Sequence, residues 1–488
     1  MDKVILIYPQ TGWDIKGVSI SLPLSLLYLA NPLDKGNLKV KIIDQRVNKR
    51  DWENILSREL KDKPICVGIS SMTGFQIKGG LKASQIVKRL SPQTKVVWGG
   101  VHPSLLPEQT LKNNYIDLVV RGEGEETFLR LVEAISNNHP LEEIKGLSFK
   151  KDNKIIHNPP REFIDLNKLP PLPYHLIRLK DYFTHQTLGE EDLILSTSRG
   201  CPHNCSYCYN VSFNQKRWRA ESASKIIENI QYLAEKHNIH SFHINEDNFF
   251  VDLGRVKELC QLIKEKRLKI NIKTSCKIEY IVKYDLSFLQ LLKEVGFVQL
   301  IIGIESGSEK ILKQLNKEVG VEQILKVNQK LKRAKVATTY DFMGGFPQEE
   351  KEDLKGTIHL MLRLLKENEL ARTSAIRLYT PYPGTQLYNF CKERGWSPPA
   401  SLLEWSSFDW NQINFPWLSK YEKKKLENMS YATFFLDKKT IGEYYAHNLL
   451  MNLISKFYAS LVRYRCKHNL WRFMPEIGVL KRLKKVIA

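Results

Sequence analysis

CPHNCSYC, at residues 201–208, brings three cysteines together with gaps of three and two residues between them. A loop of that length can point three sulfur atoms at one centre. Soft thiolate ligands select zinc, copper(I) or iron–sulfur clusters. A structural zinc site requires a fourth Cys or His ligand. His203 lies inside the loop and is not an obvious fourth ligand. Cys201, Cys205 and Cys208 therefore suit a [4Fe–4S] cluster with one open iron, and zinc or a chance arrangement are the alternatives.

The CxxxCxxC spacing, with the aromatic Tyr207 before the last cysteine, resembles the cluster loop of the radical S-adenosylmethionine (SAM) superfamily. The resemblance implies that SAM chelates the open iron through its amino and carboxylate groups. It also implies a low-potential electron donor of the flavodoxin or ferredoxin type, whose electron cleaves SAM to a 5′-deoxyadenosyl radical.

The composition is that of a soluble globular protein. At 488 residues, with 42% hydrophobic and 26% charged residues, the chain is long enough for two or three domains. It shows no signal-peptide pattern, no bilayer-length apolar stretch and too few cysteines for a disulfide scaffold, which predicts a cytoplasmic protein. The net charge of +21 indicates either an acidic partner or a Lys-rich solvated surface. Nucleic acid is disfavoured because no nucleic-acid-binding motif accompanies the charge.

Residues 3 to about 135 alternate short β-branched runs with amphipathic segments. This alternation predicts an α/β domain with a buried parallel sheet. Ligands of such sheets bind beyond the carboxyl ends of the strands. Small and polar residues follow three of the predicted strands, where glycines let the backbone approach a large ligand closely. These loops read SSMTG at 70–74, GGVHP at 99–103 and RGEGE at 121–125.

Two of these loops, GG at 99–100 and GEGE at 122–125, resemble the cobalamin-binding domain that precedes the barrel in many radical SAM proteins. No GxGxxG follows the first strand and no GxxxxGK[ST] occurs, so dinucleotide and P-loop interpretations fail. The resemblance assigns the following residues to cobalamin: Ser70, Ser71, Thr73, Gly99, Gly100, His102, Glu123 and Gly124.

One departure from the B12-binding pattern matters for the cobalt. The DxHxxG ligand motif of B12-dependent mutases is absent, because Gln45, Arg46 and Val47 follow Asp44. Bound cobalamin would then have no histidine ligand from that position. We interpret His102 as a loop residue packed near the ligand's tail, with cobalt ligation as the alternative. A degenerate α/β module that binds nothing is the alternative for the whole domain.

A hairpin with its turn at residues 152–153 and a Pro-rich stretch form a predicted connector. From Leu193 a second alternation contains six βα units, which predict an open or partial barrel with chemistry at the carboxyl ends of its strands. The predicted fold class is thus α/β. It comprises a Rossmann-like cobalamin-binding domain (1–140), a hairpin and Pro-rich linker (141–190), a radical SAM partial (β/α)6 TIM barrel (191–390) and a mostly helical, aromatic-rich, basic C-terminal region (391–488).

The radical SAM resemblance also implies a SAM site. Glu246 would lie near the SAM amino group, Ser275 at the third-strand polar position and Glu305 at the ribose or methionine end, while Tyr207 would set its backbone against adenine. An ammonium group prefers carboxylate partners, and ribose hydroxyls need acceptors. Glu246 and Glu305 could instead be ordinary strand-end salt-bridge partners.

Late barrel strands carry three candidate catalytic residues, Tyr340, Asp341 and Tyr379. Each could donate a proton or hydrogen, or orient the substrate. Periodicity does not show which of them face the barrel interior.

Beyond residue 386 the pattern becomes helical and rich in aromatic residues, which could cap the open side of the barrel and shape a substrate pocket. The aromatic residues are Trp396, Trp405, Phe408, Trp410, Phe415 and Trp417. From Lys456 onward basic residues dominate, interleaved with apolar ones. Such a basic amphipathic helix indicates membrane-surface binding, with a helix packed on the barrel as the alternative. The basic residues are Lys456, Arg463, Arg465, Lys467, Arg472, Lys481, Arg482, Lys484 and Lys485.

Together these features predict a cobalamin-dependent radical SAM enzyme that methylates an unactivated carbon of a small-molecule or lipid-like substrate, by way of the 5′-deoxyadenosyl radical and methylcobalamin. An oxidative cyclase or another C–C bond-forming enzyme of the same architecture is the nearest alternative. A non-catalytic cofactor-binding module docked to a membrane or nucleic acid is a more distant one. The basic tail predicts a cytoplasmic protein that contacts the inner membrane surface peripherally.

Overall fold

The computed structural model describes residues 3–36, 38–187, 190–410, 413–439, 449–471 and 474–478. Its two large sheets have seven strands each and are flanked by helices. The predicted α/β class is therefore confirmed. The predicted domain boundaries stay predictions.

The first sheet contains five parallel strands, β1 to β5, followed by an antiparallel hairpin, β6 and β7. Its strand order is β2-β1-β3-β4-β5-β6-β7. The strands are β1 Lys3–Tyr8, β2 Lys39–Asp44, β3 Cys66–Ser70, β4 Lys95–Gly99, β5 Leu118–Val120, β6 Leu147–Lys151 and β7 Lys154–His157. The helices are α1 Leu24–Lys35, α2 Trp52–Glu59, α3 Phe75–Leu90, α4 Val101–Leu105, α5 Pro107–Leu111 and α6 Glu125–Asn137.

The strand order reverses between β1 and β3, which both pair in parallel with their neighbours. Doubly wound sheets bind ligands in the crevice outside this switch point. The residues from Val4 to Ile7 in β1 are fully buried, as expected for a parallel strand covered on both faces.

The hairpin that the sequence assigns to the linker pairs through β6 with β5. It therefore extends the first sheet. After it come short 3-10 helices at Leu166–Lys168, Tyr174–Leu176 and Leu179–Asp181, which lead into the second sheet.

The second sheet has the order β16-β15-β14-β13-β12-β9-β8. Six of its strands are parallel, in agreement with the six predicted βα units, and β8 pairs antiparallel with β9 at one edge. The strands are β8 Thr184–Thr187, β9 Glu190–Leu195, β12 Ser241–Ile244, β13 Asn271–Cys276, β14 Phe297–Glu305, β15 Ala337–Gly344 and β16 Ala371–Leu378. The two-residue strands β10 Ser198–Arg199 and β11 Arg219–Ala220 form a separate antiparallel ribbon.

Helices connect the barrel strands, and several begin at a side chain that caps the helix amino end. Ser222, Asp252, Asp285 and Ser308 each accept a hydrogen bond from a backbone N–H of the first turn. The helices are α7 Asn210–Phe213, α8 Ala223–His237, α9 Leu253–Glu265, α10 Ile278–Lys283, α11 Leu286–Glu294, α12 Glu309–Gln314, α13 Val321–Arg333 and α14 Lys351–Glu367.

The C-terminal region is helical in its described part, as predicted. Its α17 covers the edge strand β16, where the Ile376 backbone N–H donates to Thr433 Oγ1 at 3.0 Å. The helices are α15 Gln386–Glu393, α16 Leu402–Trp405, α17 Lys420–Thr433 and α18 Leu449–His468.

Candidate functional site

Gly200 connects β10 to the CPHNCSYC loop, and β10 pairs with β11 at the base of the loop. Gly200 has φ +85°, and a Cβ atom there would lie 2.0 Å from the carbonyl oxygen of Arg217. Only glycine fits such a position without distortion. The Gly200 N–H donates to Asp247 Oδ2 at 3.0 Å, so the start of the loop is held against the carboxyl end of β12.

The far end of the loop is held by Ser206. Its hydroxyl donates to the Gln314 carbonyl at 2.9 Å, and its carbonyl accepts from the Leu387 N–H at 2.9 Å. These contacts tie the loop to the end of α12 and the start of α15, so both of its ends are fixed by barrel elements.

All three cysteines of the loop are free thiols. Burial raises the pKa of Cys201, and burial likewise raises the pKa of Cys208 to about 12. Metal ligation requires thiolates, so a cluster must displace these protons when it assembles. Over the described ranges, no three His, Cys, Asp or Glu side chains form a group that could hold a metal ion directly.

The donor set fits an iron–sulfur cluster better than zinc. His203, the remaining nitrogen donor within the loop, is engaged elsewhere, since its Nε2 lies 3.2 Å from the hydroxyl of Tyr280. The loop thus offers three sulfurs and no fourth ligand of its own, which is the arrangement that leaves one iron of a cube open.

A buried lysine adjoins the loop, and the sequence analysis missed it. Lys277 Nζ lies 3.8 Å from Cys205 Sγ and 3.0 Å from Glu279 Oε1. A cation beside cluster sulfurs favours the more negative, reduced state. Its position directly after β13, at the carboxyl end of a barrel strand, is the sequence feature that could have identified it.

Glu305 is held next to the loop in the left-handed region, at φ +70°, where the register between β14 and β15 shifts. Its Oε1 accepts from the Tyr207 hydroxyl at 2.8 Å and from Lys317 Nζ at 3.1 Å. Burial by itself would lower the pKa of Lys317, but Glu305 and nearby acidic groups raise it to about 12. The salt-bridge alternative for Glu305 therefore describes its contacts, and its predicted role in binding SAM stays a prediction.

Glu246 follows β12, and only one of its two carboxylate oxygens is hydrogen-bonded within the protein. Its Oε2 accepts from the backbone N–H and the hydroxyl of Thr197, at 2.8 and 3.0 Å, while its buried Oε1 has no hydrogen-bond partner. Burial raises the pKa of this carboxyl against the opposing effect of Arg255. An unsatisfied acceptor of this kind is available to a ligand.

A cavity of about 480 Å³ lies between the first sheet and the barrel, outside the β1/β3 switch point. Gly100 lines it with φ +98°, and a Cβ atom there would lie 2.7 Å from the Ser71 carbonyl oxygen. The barrel side of the wall includes Glu246 and Asp247. This glycine-backed crevice fits the predicted cobalamin site. The residues predicted for cobalamin that line it are Ser70, Ser71, Gly99, Gly100, Glu123 and Gly124.

Thr73 and His102 are not among the described residues that line this cavity. His102 is fully buried, hydrogen-bonds Thr73 Oγ1 through Nδ1 at 3.0 Å, and packs edge-on against Trp405 with ring centroids 5.5 Å apart. Burial lowers the pKa of His102 to about 3, so it is a neutral packing residue. The packing agrees with our interpretation of His102 as a packed loop residue, and the cobalamin contacts of Thr73 and His102 stay predictions.

Ion pairs cross the wall of this first cavity. Arg199, two residues before Cys201, donates to Glu123 at 2.9 Å and to Glu125 at 2.6 Å. Arg219 donates to both oxygens of Glu123 at 2.7 Å. The Glu123 carboxylate thus joins the two domains, and the sequence analysis missed its partners.

A second cavity, of about 890 Å³, occupies the barrel interior. Ser275 and Asp341 line it, as does Phe434 of the C-terminal region. It shares Ser21, Ile194 and Asn245 with the first cavity, so the two adjoin.

Tyr340 and Tyr379 do not line either cavity in the described part of the chain. The Tyr340 hydroxyl donates to Asn328 Oδ1 of α13 at 3.0 Å, which places it outside the barrel wall. Tyr379 is buried beside Cys391 of α15, with its hydroxyl 3.9 Å from the sulfur. Of the three catalytic candidates, only Asp341 faces the interior. Successive strand residues point to opposite faces, which explains the difference between Tyr340 and Asp341.

Two of the aromatic residues of the predicted cap pack against the preceding domains. Trp405 packs on His102 and on Phe408, with centroids 5.5 and 4.5 Å apart. Trp410 lies 3.2 Å from where a Cβ atom of Gly345 would stand, at the end of β15. None of the six aromatic residues is in the described lining of the two cavities above, and their role in shaping a substrate pocket stays a prediction.

The sequence matches the radical SAM superfamily over residues 195–361 and the B12 binding domain over residues 16–132. An uncharacterized methyltransferase of Pyrococcus horikoshii is 29% identical over 443 residues, which cover 90% of this chain and 94% of the relative. The anaerobic magnesium-protoporphyrin IX monomethyl ester cyclase of Synechocystis sp. is 27% identical over 381 residues, covering 76% and 73%.

Solved structures share the fold. The radical SAM methyltransferase TsrM from Kitasatospora setae superposes with a TM-score of 0.69 at 16% identity over 89% of each chain. The cobalamin-dependent radical enzyme OxsB gives 0.77 at 17% identity, over 100% of this chain and 75% of that one.

Fold and site together define a class of protein, in which a B12-binding α/β domain adjoins a radical SAM partial barrel. The chain thus contains a radical SAM domain and a B12 binding domain. These two domains imply a [4Fe–4S] cluster, SAM and cobalamin as cofactors.

Proposed function

We propose that the protein is a cobalamin-dependent radical SAM methyltransferase that acts on an unactivated carbon of a small molecule. The observation that carries this proposal is the junction of the two cavities at Ser21, Ile194 and Asn245. A ligand in the interdomain cavity and a substrate in the barrel would meet there. Arg199 and Tyr209, which flank the CPHNCSYC loop, line the interdomain cavity.

The names of relatives support methyl transfer. Besides the P. horikoshii protein, a cytidylyl-2-hydroxyethylphosphonate methyltransferase of Streptomyces wedmorensis is 26% identical over 341 residues. Because the chain is also similar to the cyclase of Synechocystis, ring closure remains the alternative reaction. The substrates in these names are small molecules, which agrees with a barrel cavity of about 890 Å³.

In this proposal Cys201, Cys205 and Cys208 hold the cluster, and the cavity lined by Gly99 and Gly100 holds cobalamin. These cofactors, when bound, supply a substrate radical and the methyl group that it accepts. SAM would lie near Glu246, Glu305 and Ser275, with the backbone of Tyr207 against its adenine. The groups assigned to SAM are thus two carboxylates at strand ends, one hydroxyl inside the barrel and one residue of the cluster loop.

The chain's own residues position and shield the reactants. Asp341 lies inside the barrel, where burial raises the pKa of its carboxyl while Arg377 opposes that shift. It can orient a substrate hydroxyl or amine. Helix α17 packs on the edge strand β16, where the Ile376 N–H donates to Thr433 Oγ1.

The test uses anaerobically reconstituted full-length protein with SAM labelled in its methyl group and a low-potential flavodoxin or ferredoxin. We expect 5′-deoxyadenosine to form and the label to reach a small-molecule product in cell extract. The Cys205→Ala variant should lose both products, whereas Cys260→Ala, a change at a buried cysteine outside the loop, should keep them. Deoxyadenosine without label transfer would support the cyclase alternative. Absence of deoxyadenosine would refute the radical chemistry.

A second observation supports a membrane-surface contact, which we propose for α18. Five apolar side chains form an exposed stripe along this helix, with Phe457 82% exposed. Lys456 and Lys467 lie exposed beside it. An apolar stripe flanked by cations matches an anionic lipid surface. The stripe consists of Leu453, Ile454, Phe457, Leu461 and Tyr464.

The opposite face of α18 packs on the protein. Tyr458 stacks edge-on with Phe435 at 5.0 Å, and Arg463 Nε donates to the Leu436 carbonyl at 3.1 Å. The packed-helix alternative therefore describes one face, while the exposed face is apolar. Of the predicted basic residues, Arg472 and those at 481–485 lie outside the described part of the chain. No helix within the described residues is long and apolar enough to cross a membrane.

Sedimentation with vesicles tests this contact. Wild-type protein should bind vesicles containing phosphatidylglycerol and bind pure phosphatidylcholine less. Phe457→Asp should abolish the binding, and Leu403→Asp, at a side chain 65% exposed on α16, should not. Equal binding by both variants would refute the contact.

A further inference from the structure

Two donors from different segments of the chain converge on one carboxylate oxygen of Glu305. The Tyr207 hydroxyl, which belongs to the CPHNCSYC loop, donates to Oε1 at 2.8 Å. The ammonium group of Lys317, in the segment after α12, lies 3.1 Å from the same oxygen. Lys317 also donates to the Gly303 carbonyl at 2.9 Å, so its own position is fixed by the strand that carries Glu305. Oε1 is therefore held by one neutral and one charged donor.

The backbone of Glu305 is held in an uncommon conformation. Its φ of +70° lies in the left-handed region, where the register between β14 and β15 shifts. Residues other than glycine seldom adopt this region, and such strain persists where the surrounding structure fixes it, often at functional sites. A Cβ atom at Gly303 would lie 2.4 Å from Glu305 Oε1, so glycine leaves room for that oxygen. The carboxylate is thus positioned by its backbone, by Gly303 and by the two donors.

The second carboxylate oxygen of Glu305 is not held in this way. Within the described part of the chain, no group donates a hydrogen bond to Oε2. The side chain is only 8% exposed, so bulk water does not surround it. A carboxylate oxygen in such a place is available to accept a hydrogen bond from a ligand. Tyr207 directly precedes Cys208, so one hydrogen bond links this carboxylate to the loop predicted to hold the cluster.

We propose that Tyr207 and Lys317 are positioning residues for SAM, which fix Oε1 of Glu305 so that Oε2 accepts a hydrogen bond from SAM. The donor on SAM is a ribose hydroxyl or the ammonium group. The Tyr207 side chain then acts in addition to the backbone, which is assigned to adenine. This inference rests on the proposed function and adds how the SAM-binding carboxylate is oriented.

The test measures SAM binding without turnover, by equilibrium dialysis of methyl-labelled SAM against protein loaded with oxidised cluster and cobalamin. Tyr207→Phe should keep its iron and bind SAM about five- to ten-fold more weakly, the equivalent of one hydrogen bond. Gly303→Ala, a change outside the CPHNCSYC loop, displaces Oε1 and should also weaken binding. Tyr174→Phe removes another buried hydroxyl, which donates to Asn229 Oδ1 at 3.2 Å, and should bind SAM normally.

A double-mutant cycle separates positioning from a merely structural role. In a Glu305→Ala background there is no carboxylate to orient, so adding Tyr207→Phe should weaken SAM binding by less than about two-fold. Adding Lys317→Met to that background should likewise have little further effect. A phenol that only supports the loop would weaken binding by the same factor with and without Glu305. Circular dichroism of each variant checks that the fold is kept.

Two fragments of SAM, used as competitors, locate the donor. Methionine carries the ammonium group without the ribose, whereas 5′-deoxyadenosine carries the ribose hydroxyls without the ammonium group. Tyr207→Phe should weaken the binding of one fragment and spare the other. Weaker methionine binding assigns Oε2 to the ammonium group, and weaker deoxyadenosine binding assigns it to the ribose.

Three outcomes would overturn the proposal: SAM binding by Tyr207→Phe that equals that of the wild type, full losses in the Glu305→Ala background, or unchanged binding of both fragments. Wild-type protein that binds no SAM would refute the proposed function together with this inference. SAM binding that depends on Tyr207 and Glu305, but without formation of deoxyadenosine under reductant, would refute the radical chemistry alone. Failure of the positioning role is therefore distinguishable from failure of the proposed function.

Discussion

Arg199 and Glu125 form an ion pair at 2.6 Å that joins the cluster loop to the B12-binding domain. Arg199 stands two residues before Cys201, and Glu125 is the first residue of α6. Burial would lower the pKa of Arg199, but Glu125 and Glu123 more than offset burial and raise it. The pair lies on the wall of the interdomain cavity. It therefore fixes the position of the cluster loop relative to the predicted cobalamin site.

Replacing Arg199 with Met should destabilise the protein and weaken cobalamin retention. Glu123 and Glu125 have side chains only 8% and 7% exposed, and the loss of one partner of a buried pair costs about 3–5 kcal/mol. Thermal unfolding and gel filtration with hydroxocobalamin measure the two effects. Arg130→Met, which removes an exposed pair with Glu133, should cost under about 1 kcal/mol. Equal effects of both changes would contradict this reading of the interface.

Stability should depend on pH through Glu123. Burial raises the pKa of Glu123, but Arg199 and Arg219 outweigh burial and lower it below the usual 4.5. A depressed carboxyl pKa contributes stability that is complete above about pH 4.5 and is lost as the pH falls through the folded-state pKa. Urea unfolding between pH 7 and pH 3 should therefore show a loss of stability at the acid end. Glu123→Gln should flatten that acid slope, and an unchanged slope would contradict the assignment.

Lys277→Met should shift the midpoint potential of the reconstituted cluster to a more negative value. The Lys277 ammonium lies 3.8 Å from Cys205 Sγ, and removing a positive charge there disfavours the added electron. Potentiometric titration followed by electron paramagnetic resonance measures the shift. Lys277→Arg keeps the positive charge and should have a midpoint potential close to that of the wild type. If Lys277 were only structural, both variants would change the iron content, and the clusters that remain would keep the wild-type potential.

Gly200→Ala should prevent the cysteine loop from closing. The position needs φ +85°, and a methyl group would lie 2.0 Å from the Arg217 carbonyl oxygen, so the backbone has to move at a cost of at least about 2 kcal/mol. Iron content after reconstitution should fall sharply. Gly36→Ala, where φ is −77° and the nearest atom would be 3.4 Å away, should bind iron normally. Full iron loading of Gly200→Ala would show that the turn is not needed.

The sequence predicts the two α/β units and the six barrel strands because parallel strands leave long apolar runs between helical patterns. Local spacing also identifies the cysteine loop, since its donors are neighbours in sequence. The orientation of Tyr340 and Asp341 was not predictable, because both faces of a barrel strand are buried and the alternation that would distinguish them is lost.

Partners that are distant in sequence were missed for a related reason. Arg199 meets Glu125 across 74 residues, and Lys277 meets Cys205 across 72. No local pattern reports such contacts. The same is true of the contact between Trp405 and His102, which lie in different predicted domains.

The most direct test of the account is low-temperature electron paramagnetic resonance of the anaerobically reconstituted, dithionite-reduced protein, recorded with and without SAM. The account predicts a [4Fe–4S] signal that depends on Cys201, Cys205 and Cys208 and changes when SAM binds the open iron. A protein that carries zinc, or a cluster signal that SAM leaves unchanged, would contradict it.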